Sequence, residues 1–168
     1  MNIVDIREAR LPDAEAIALI QGEAVAHHAY LTQTSTATIQ AIKQSIESLP
    51  QQYPFIVATI QEEIVGFAYA APFSPRIAFS HACVASLCVP SGLLLSNTGQ
   101  QLLEELESRL EAASIIQVLT HLVSSNELHL SFLEQNGYNH IGHLPQIGNQ
   151  DNQRLDVTWM MKTLMPNT

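Results

Sequence analysis

The side chains that could act as nucleophiles lie in one apolar segment, residues 82–89, which holds Cys83, Ser86 and Cys88. A β-strand points successive side chains to opposite faces, so Ser86 and Cys88 share a face with Val84 and could line a site there. A serine with no adjacent base is more typical of a buried, hydrogen-bonded side chain, and free cysteines pack as small hydrophobic residues. We therefore interpret both cysteines as buried thiols.

A reaction at this segment would also need a group that moves a proton. No Asp or Glu occurs between Ile64 and Leu103, which excludes a carboxylate base on the 82–89 strand. His81 precedes the strand, and histidine titrates near neutral pH, so His81 could accept a proton. A surface histidine without a role in catalysis is the alternative.

Histidine pairs are the residues that could ligate a metal: His140 and His143 in the spacing H-x-x-H, and the adjacent His27 and His28. In a strand, residues three apart point to opposite faces, so His140 and His143 are expected to be poorly placed for joint ligation. The sequence therefore predicts no metal site.

Composition limits the partners. The chain has 168 residues, which is typical of a single domain, and its 7 Lys and Arg against 16 Asp and Glu give a formal net charge of −9. This charge disfavours binding to nucleic acid or to an anionic membrane. The sequence has no basic segment followed by an apolar run and no apolar run of about 20 residues, so neither a signal peptide nor a membrane helix is expected. We expect one domain over residues 1–168, in the cytoplasm.

Hydrophobic periodicity and turn residues predict the elements that would position these groups. The predicted strands cover 2–8, 55–60, 64–71, 82–89, 115–122, 138–144 and 155–162, and the predicted helices cover 11–28, 34–48, a segment from 96, and 126–136. In the helix from Ser96 the leucines form one stripe, and the acids Glu104, Glu105, Glu107 and Glu111 are expected to face water. The order predicts an α/β or α+β protein with a mixed sheet and helices on both faces.

Several strings in this order resemble the GNAT acyl-CoA N-acyltransferases, and in detail their phosphinothricin-acetyltransferase-like branch. They are IREA at 6–9, GEAV at 22–25, EIVGFAYAAPFSPR at 63–76, SSNELHLSFLEQNGY at 124–138, and Gly148 with Leu155-Asp156-Val157. The resemblance implies a GNAT-like, mostly antiparallel mixed sheet, and transfer of an acetyl or other acyl group from CoA to a primary amine of a small molecule by direct attack. It also implies acetyl-CoA as cofactor and a homodimer.

In such enzymes the strands 82–89 and 115–122 separate to admit the pantetheine arm, and backbone N–H groups at the start of the following helix hold the pyrophosphate. The residues that the resemblance places on the cofactor are Leu87, Val89, Leu94, Leu95, Ser96, Asn97, Thr98, Gly99, Gln100 and Asn126. Leu87 and Val89 would act through backbone groups, residues 94–100 would surround the pyrophosphate, and Asn126 would lie beside the pantetheine.

The pyrophosphate loop departs from the family pattern Q/R-x-x-G-x-G/A, because Leu94 replaces its first residue and Asn97 its first glycine. A side chain at Asn97 should hinder the close approach of a phosphate. No Lys or Arg lies between Arg76 and Arg109 to supply countercharge. An alternative is therefore that Ser96, Asn97 and Thr98 merely cap the leucine-striped helix.

The positions that would move protons also depart from the family. The base that the branch places two residues before the serine becomes Val84, and its acid on the following helix becomes Leu133. We therefore assign no catalytic residue. Two hypotheses remain: an acyltransferase, in which His81 replaces the base or a neutral amine attacks directly, and a degenerate GNAT-fold protein that serves as a binding module.

Four further residues are assigned by position alone. Tyr30 and Leu31 fall in the segment that would form the lip of the acceptor pocket, and Glu23 is expected to point into the same cleft. Asp156 matches an Asp of the branch and would lie in the cleft or at a subunit contact, with an ordinary acid at a strand edge as the alternative.

Overall fold

Seven strands form one continuous sheet in the computed structural model, which describes residues 3–26, 37–150 and 152–164. The strands are β1 (Val4–Glu8), β2 (Phe55–Ile60), β3 (Glu63–Pro72), β4 (Ala82–Cys88), β5 (Gln117–Val123), β6 (Asn139–Gln150) and β7 (Gln153–Thr163). The helices are α1 (Ala14–Ala26), α2 (Ala37–Ser48), α3 (Ser91–Leu94), α4 (Asn97–Ala112) and α5 (Glu127–Gln135), with 3-10 turns at Leu11–Asp13 and Ile77–Phe79.

The sheet order is β1-β2-β3-β4-β5-β7-β6, and every neighbouring pair is antiparallel except β4 and β5. The prediction of a mixed, mostly antiparallel sheet is confirmed. The predicted hairpin at residues 61–63 is also present, because Gln61 and Glu62 both adopt positive φ, 51° and 68°, as a two-residue hairpin turn requires.

Helices cover both faces of the sheet, as predicted. Alternate residues of β2 and β3 enter two different cores: Ile56 and Ala68 pack with α4 and α5, whereas Val57 and Phe67 pack with α1 and α2. The predicted leucine stripe of α4 consists of Leu102, Leu103, Leu106 and Leu110, all at most 2% exposed. Alternation along the strands therefore separates an α4/α5 face from an α1/α2 face.

The ends of α5 follow the sequence signals. The Asn126 side chain accepts a hydrogen bond from the backbone N–H of His129 and caps the first turn. The helix ends before Gly137, whose φ of +88° is the left-handed conformation that glycine adopts without strain.

Two elements differ from the sequence prediction. The four-residue α3 begins after Pro90, whose carbonyl accepts from the N–H groups of Leu93 and Leu94, and such a short helix has no periodicity to reveal it. β6 continues to Gln150 rather than ending near Leu144, because it is an edge strand whose register shifts twice and which therefore lacks regular alternation.

Among the described residues, no helix combines the length and the apolar character needed to cross a bilayer.

Candidate active site

The central feature of the sheet is a separation between its two parallel strands. β4 and β5 pair only over Ala82–Val84 and Gln117–Leu119. Beyond these three pairs, residues 85–88 and 120–123 diverge, although both stretches remain strands. The sheet therefore has a wedge-shaped opening at the carboxyl ends of β4 and β5.

Leu87, in β4, and Val89, just after its end, lie along this opening. Their side chains are 6% and 4% exposed and belong to the core under α4 and α5. The stretch of β4 that holds Leu87 pairs with β3 on one side, and β5 no longer pairs with it on the other. Contact with a ligand in the opening would therefore be made by backbone groups on the free edge.

The chain leaves β4 through α3 and enters α4 at a tight corner. Ser96 caps α4: its hydroxyl accepts from the Thr98 N–H at 3.2 Å and donates to the Leu93 carbonyl at 2.6 Å. Leu94 and Thr98 are each 2% exposed, so their side chains point into the protein. The side chains of Leu95 and Asn97 are exposed beside the helix end.

The first turn of an α-helix offers N–H groups that have no intrahelical acceptor, and the helix dipole favours negative charge there. The Ser96 cap uses one such group in α4, that of Thr98, which leaves those of Asn97 and Gly99 in the same turn. Backbone N–H groups of this kind are the type that bind anions at helix N-termini, so pyrophosphate contact at this turn stays a prediction. Ser96 does cap the helix, and the alternative that residues 96–98 merely cap it stays open.

Gln100 is tied to neighbouring side chains. Its Nε2 donates to Glu104 at 2.7 Å and to Asn136 at 2.9 Å, which links α4 to the end of α5. We expected Gln100 to contact the cofactor. Its side chain joins two helices, and its contact with the cofactor stays a prediction.

His121 lies on β5 two residues beyond the last pair, Val84 with Leu119. If the parallel register continued, Ser86 would lie opposite His121, but the two strands no longer pair there. The His121 ring packs on Trp159 of β7, with the ring centroids 4.7 Å apart. Burial lowers the pKa of His121 below its ordinary value, so the ring is neutral at pH 7.

His81 lies at the other end of the β4–β5 pair. It is exposed, and its carbonyl accepts hydrogen bonds from the N–H groups of Ile116 and Gln117. The five residues from His81 to Ser86 span about 17 Å of strand. This position favours a surface histidine over the base that the sequence suggested.

The two cysteines are free, buried and on opposite faces of β4, since Cys83 packs with α4 and Cys88 with α1 and α2. Burial raises the pKa of each thiol to about 12. Neither thiol can supply a thiolate at neutral pH, which agrees with their interpretation as structural residues.

A family model for the acetyltransferase (GNAT) domain matches residues 6–159. The chain belongs to this family. It is therefore a GNAT N-acetyltransferase, as the resemblance of its strings implied.

Two acetyltransferases of known activity are similar to this chain over most of its length. The L-methionine sulfoximine/L-methionine sulfone acetyltransferase of Pseudomonas aeruginosa is 24% identical over 163 residues, which covers 96% of this chain and 95% of the relative. The phosphinothricin N-acetyltransferase of Streptomyces viridochromogenes is 26% identical over 145 residues, 86% of this chain and 79% of the relative.

Solved structures share the fold. A phosphinothricin acetyltransferase from Sinorhizobium meliloti in complex with acetyl-CoA superposes with a TM-score of 0.82 at 23% identity, covering 96% of this chain and 88% of the other. The yncA protein of Salmonella typhimurium, solved with acetyl-CoA, gives a TM-score of 0.87 at 22% identity, covering 99% and 96%. These similarities confirm the GNAT fold.

Two apolar residues, Val84 and Leu133, occupy the positions at which the resemblance to the GNAT branch would place groups that transfer protons. Val84 is half-buried at the start of the opening, and Leu133 is 2% exposed within the α4/α5 core. Among the described residues, His121 is the titratable side chain of β5, and the sequence reasoning missed it. Alternation along β5 is a sequence signal that puts His121 on the same face as Leu119, but the position of that face relative to β4 comes from the Val84–Leu119 pair in the structure.

The prediction about the H-x-x-H histidines is wrong in its geometry. A register shift between His140 and Gly142 places His140 opposite Met160 and His143 opposite Thr158, so both histidines lie on one face. Each has its own carboxylate: His140 pairs with Glu134 at 2.5 Å, and His143 with Asp156 at 3.2 Å. In the described parts of the chain, no group of three potential ligands could hold a metal ion.

Asp156 also accepts a hydrogen bond from the Gln146 N–H at 2.8 Å, so its carboxylate organises the β6–β7 hairpin. Because β7 lies between β5 and β6, Asp156 is not on an edge strand of the sheet, and its role in the cleft or at a subunit contact stays a prediction. Glu23 is exposed on α1. Tyr30, Leu31, His27 and His28 lie outside the described residues.

One acid of α4 was misassigned. We expected Glu107 to face water, but its side chain is only 13% exposed, and it accepts from Tyr138 at 3.0 Å and from Lys162 at 2.6 Å. Burial, together with the neighbouring Glu107 carboxylate, raises the pKa of Tyr138 well above its ordinary value. Glu107 therefore holds α4 against β7 and the segment before β6.

Proposed function

We propose that this GNAT enzyme transfers an acetyl group from acetyl-CoA to the primary amine of a small molecule, by direct attack within a ternary complex. The observation that carries the proposal is the opening between β4 and β5, directly followed by the anion-binding first turn of α4. An elongated ligand with an anionic end fits this succession of a free strand edge and a helix end.

The residues present fit acetyl-CoA through backbone groups. The free edge of β4 near Leu87 and Val89 would hold the amide-bearing arm, and the N–H groups of Asn97 and Gly99 would hold the pyrophosphate. Asn126 caps α5 at the far side of the same opening. When bound, acetyl-CoA supplies an acyl thioester, whose carbonyl carbon is open to attack by an amine.

Direct attack is supported by the state of the cysteines. A relay through an enzyme thioester would need a reactive thiolate, and the pKa of both Cys83 and Cys88 is raised to about 12 by burial. Both substrates would then have to be held together, so that proximity replaces covalent catalysis.

The relatives suggest which amines to test first. Two of them are named for the acetylation of methionine sulfoximine, methionine sulfone or phosphinothricin, which are all amino-acid-like compounds. We therefore propose an amino-acid-like acceptor. Release of CoA thiol, followed with a panel of these compounds and of unrelated amines, measures the activity directly.

Binding of acetyl-CoA can be measured separately by calorimetry and by thermal stability. A ligand at 100 times its dissociation constant should stabilise the fold by about 2.7 kcal/mol. L95E would place a negative charge on the 61%-exposed side chain beside the α4 turn and should weaken binding. L95Q, which is uncharged, and I77E, at a 90%-exposed position on the β3–β4 loop, are the matched controls.

The degenerate binding module is the competing outcome. A wild-type protein that shows no stabilisation at millimolar acetyl-CoA and no thiol release with any amine would support the module and overturn the proposal. Equal binding by wild type and L95E would instead move the pyrophosphate away from α4.

A homodimer is also proposed. Strand β6 is an exposed edge of the sheet along most of its length, and Ile141, Leu144 and Ile147 are between 36% and 62% exposed on or near it. An edge strand of this kind can be covered by a second copy. Sedimentation of the wild type and of I147K measures the oligomeric state, and a monomeric wild type would contradict the proposal.

A further inference from the structure

We propose that His121 accepts the proton that the acceptor ammonium must lose before it attacks, an inference that rests on the function proposed above. The placement of His121 carries it: the residue lies two positions beyond Leu119, the last residue of β5 that pairs with β4, and on the face of the sheet that also holds Ser86. An acceptor entering the opening from this face would meet the imidazole beside the diverging strands.

The face can be traced through successive strand pairs. Tyr69 pairs with Ser86, and Phe67 with Cys88, which places Ser86 and Cys88 on the α1/α2 face. Val84 pairs with Leu119, so Leu119 and His121, two residues later, lie on that face as well.

Few other titratable groups share this face. Among the described residues of β3, β4, β5 and β7, they are Tyr69, whose ring stacks on Phe55, and Cys88, whose thiol is buried. Asp156 and the histidines of β6 belong to the opposite face, where Asp156 pairs with His143.

Among the described residues of α1 and α2, no acid or histidine is buried against this face. Where they meet the sheet, α1 and α2 present buried apolar side chains, Ala14, Ile17 and Ile42. The acids Glu15 and Glu23 of α1 and Glu47 of α2 are exposed. Lys43 of α2 is half-buried, and as a lysine it brings no carboxylate to this face.

The surroundings of His121 suit a proton acceptor. Trp159 fixes one side of the ring. Among the described residues, no carboxylate pairs with His121, whereas His140 pairs with Glu134 and His143 with Asp156. Partial burial lowers its pKa, which keeps the accepting, neutral form present at pH 7.

The proposed step balances as follows. One proton passes from the ammonium of the acceptor to a ring nitrogen of His121, and afterwards to water. The freed lone pair forms the C–N bond to the acetyl carbonyl carbon, and the C–S bond of the thioester breaks. The second proton on nitrogen ends on sulfur, so the products are the N-acetyl amine and the CoA thiol.

The test compares H121Q with H81Q, a matched substitution of an exposed histidine at the closed end of the same strand pair. General-base catalysis contributes about 10²–10⁴-fold, so H121Q should lose that factor in kcat/KM at pH 7, while H81Q stays at the wild-type level. The wild-type kcat/KM should fall as the pH drops through the pKa of His121, and this limb should be absent in H121Q. Acetyl-CoA affinity should be equal in all three proteins.

A second measurement does not depend on turnover. In the wild type, NMR titration of the histidine ring protons, assigned by their loss in H121Q, gives the pKa of His121, which we expect below 6.5. Addition of acetyl-CoA should shift the His121 resonance and leave that of His81 in place. H121N serves as a second variant if H121Q folds poorly by circular dichroism.

The outcomes separate the two proposals. If wild type releases thiol and H121Q keeps both its rate and its pH profile, His121 is not the proton acceptor and the acetyltransferase function stands. If acetyl-CoA leaves the His121 resonance unmoved, the placement of His121 at the site is wrong. A wild type that neither binds acetyl-CoA nor acetylates any amine overturns both proposals.

Discussion

The carbonyl oxygen of Leu94 lies directly against the α-carbon of Gly99: a Cβ added to Gly99 would be 2.1 Å from that oxygen. The last residue of α3 and the first turn of α4 can approach this closely only because residue 99 has no side chain. Gly99 therefore has a packing role that holds whether or not a ligand is bound.

The first prediction follows from this contact. G99A should destabilise the fold by about 1–3 kcal/mol, because the backbone at Leu94 must move to relieve the overlap. It should also displace the start of α4 and weaken acetyl-CoA binding. G92A, at an exposed glycine whose added Cβ would meet nothing within 4 Å, is the control and should be neutral. Urea denaturation measures both, and a G99A protein as stable as G92A would contradict the contact.

A second prediction concerns Asn97, which stands at the position of the first glycine in the family's pyrophosphate-loop pattern. N97G should bind acetyl-CoA several-fold more tightly, because it removes a side chain beside the N–H groups of the α4 turn. The extra glycine should cost at most about 1 kcal/mol of helix stability.

N97A separates the amide from the Cβ in this experiment. If N97A gains as much affinity for acetyl-CoA as N97G, the amide group of Asn97 is the obstacle and its Cβ atom is not. Calorimetry on the three proteins decides between these explanations, and no gain in either variant would place the anion elsewhere.

Elements with a strong local signal could be predicted from the sequence. The leucine stripe of α4 repeats at helical spacing and all four leucines are buried. Asn136-Gly137 ends α5 because the positive φ of Gly137 is a local requirement. Such features depend on neighbours in the chain, which the sequence displays directly.

The features that could not be predicted from the sequence depend on contacts between residues that are far apart in the chain. Glu107 resembles its exposed neighbours until β7 brings Lys162, 55 positions later, to its side. The position of His121 beside the opening is known only from the register of β4 and β5, two parallel strands joined through α3 and α4. The bulge that turns His140 and His143 to one face belongs to the pairing with β7, not to β6 alone.

A third prediction concerns thiol reactivity. With the pKa of Cys83 and Cys88 at about 12, roughly one thiol in ten thousand is ionised at pH 8. Native protein should therefore resist labelling by a disulfide reagent, whereas protein in urea should expose both thiols. The count in urea is the internal control. Fast labelling of the native protein would contradict the burial of these residues. If the native thiols do not react, the same reagent can measure the CoA thiol that the enzyme releases without background from the protein.

The last prediction concerns Asp13, the last residue of the 3-10 turn just before α1. Arg7 donates two hydrogen bonds to its carboxylate, at 2.7 and 3.0 Å, and the Arg10 N–H donates a third at 2.7 Å. The Arg7 hydrogen bonds, opposed by partial burial and aided by the Arg10 N–H, hold the pKa of Asp13 below its ordinary value. D13N should therefore lose about 1–3 kcal/mol of stability at pH 7.

The pH dependence follows from the direction of that shift. Because the folded pKa is lower than the unfolded one, which is about 3.9, the stability from Asp13 is fully present above that value. It is lost as the pH falls through the folded pKa, when the folded carboxylate is protonated as well. The stability difference between wild type and D13N should thus shrink below pH 4, while E15Q, at the exposed Glu15 of α1, should match wild type throughout. A D13N deficit that stays constant into the acid range would show that the carboxylate charge is not what stabilises this corner.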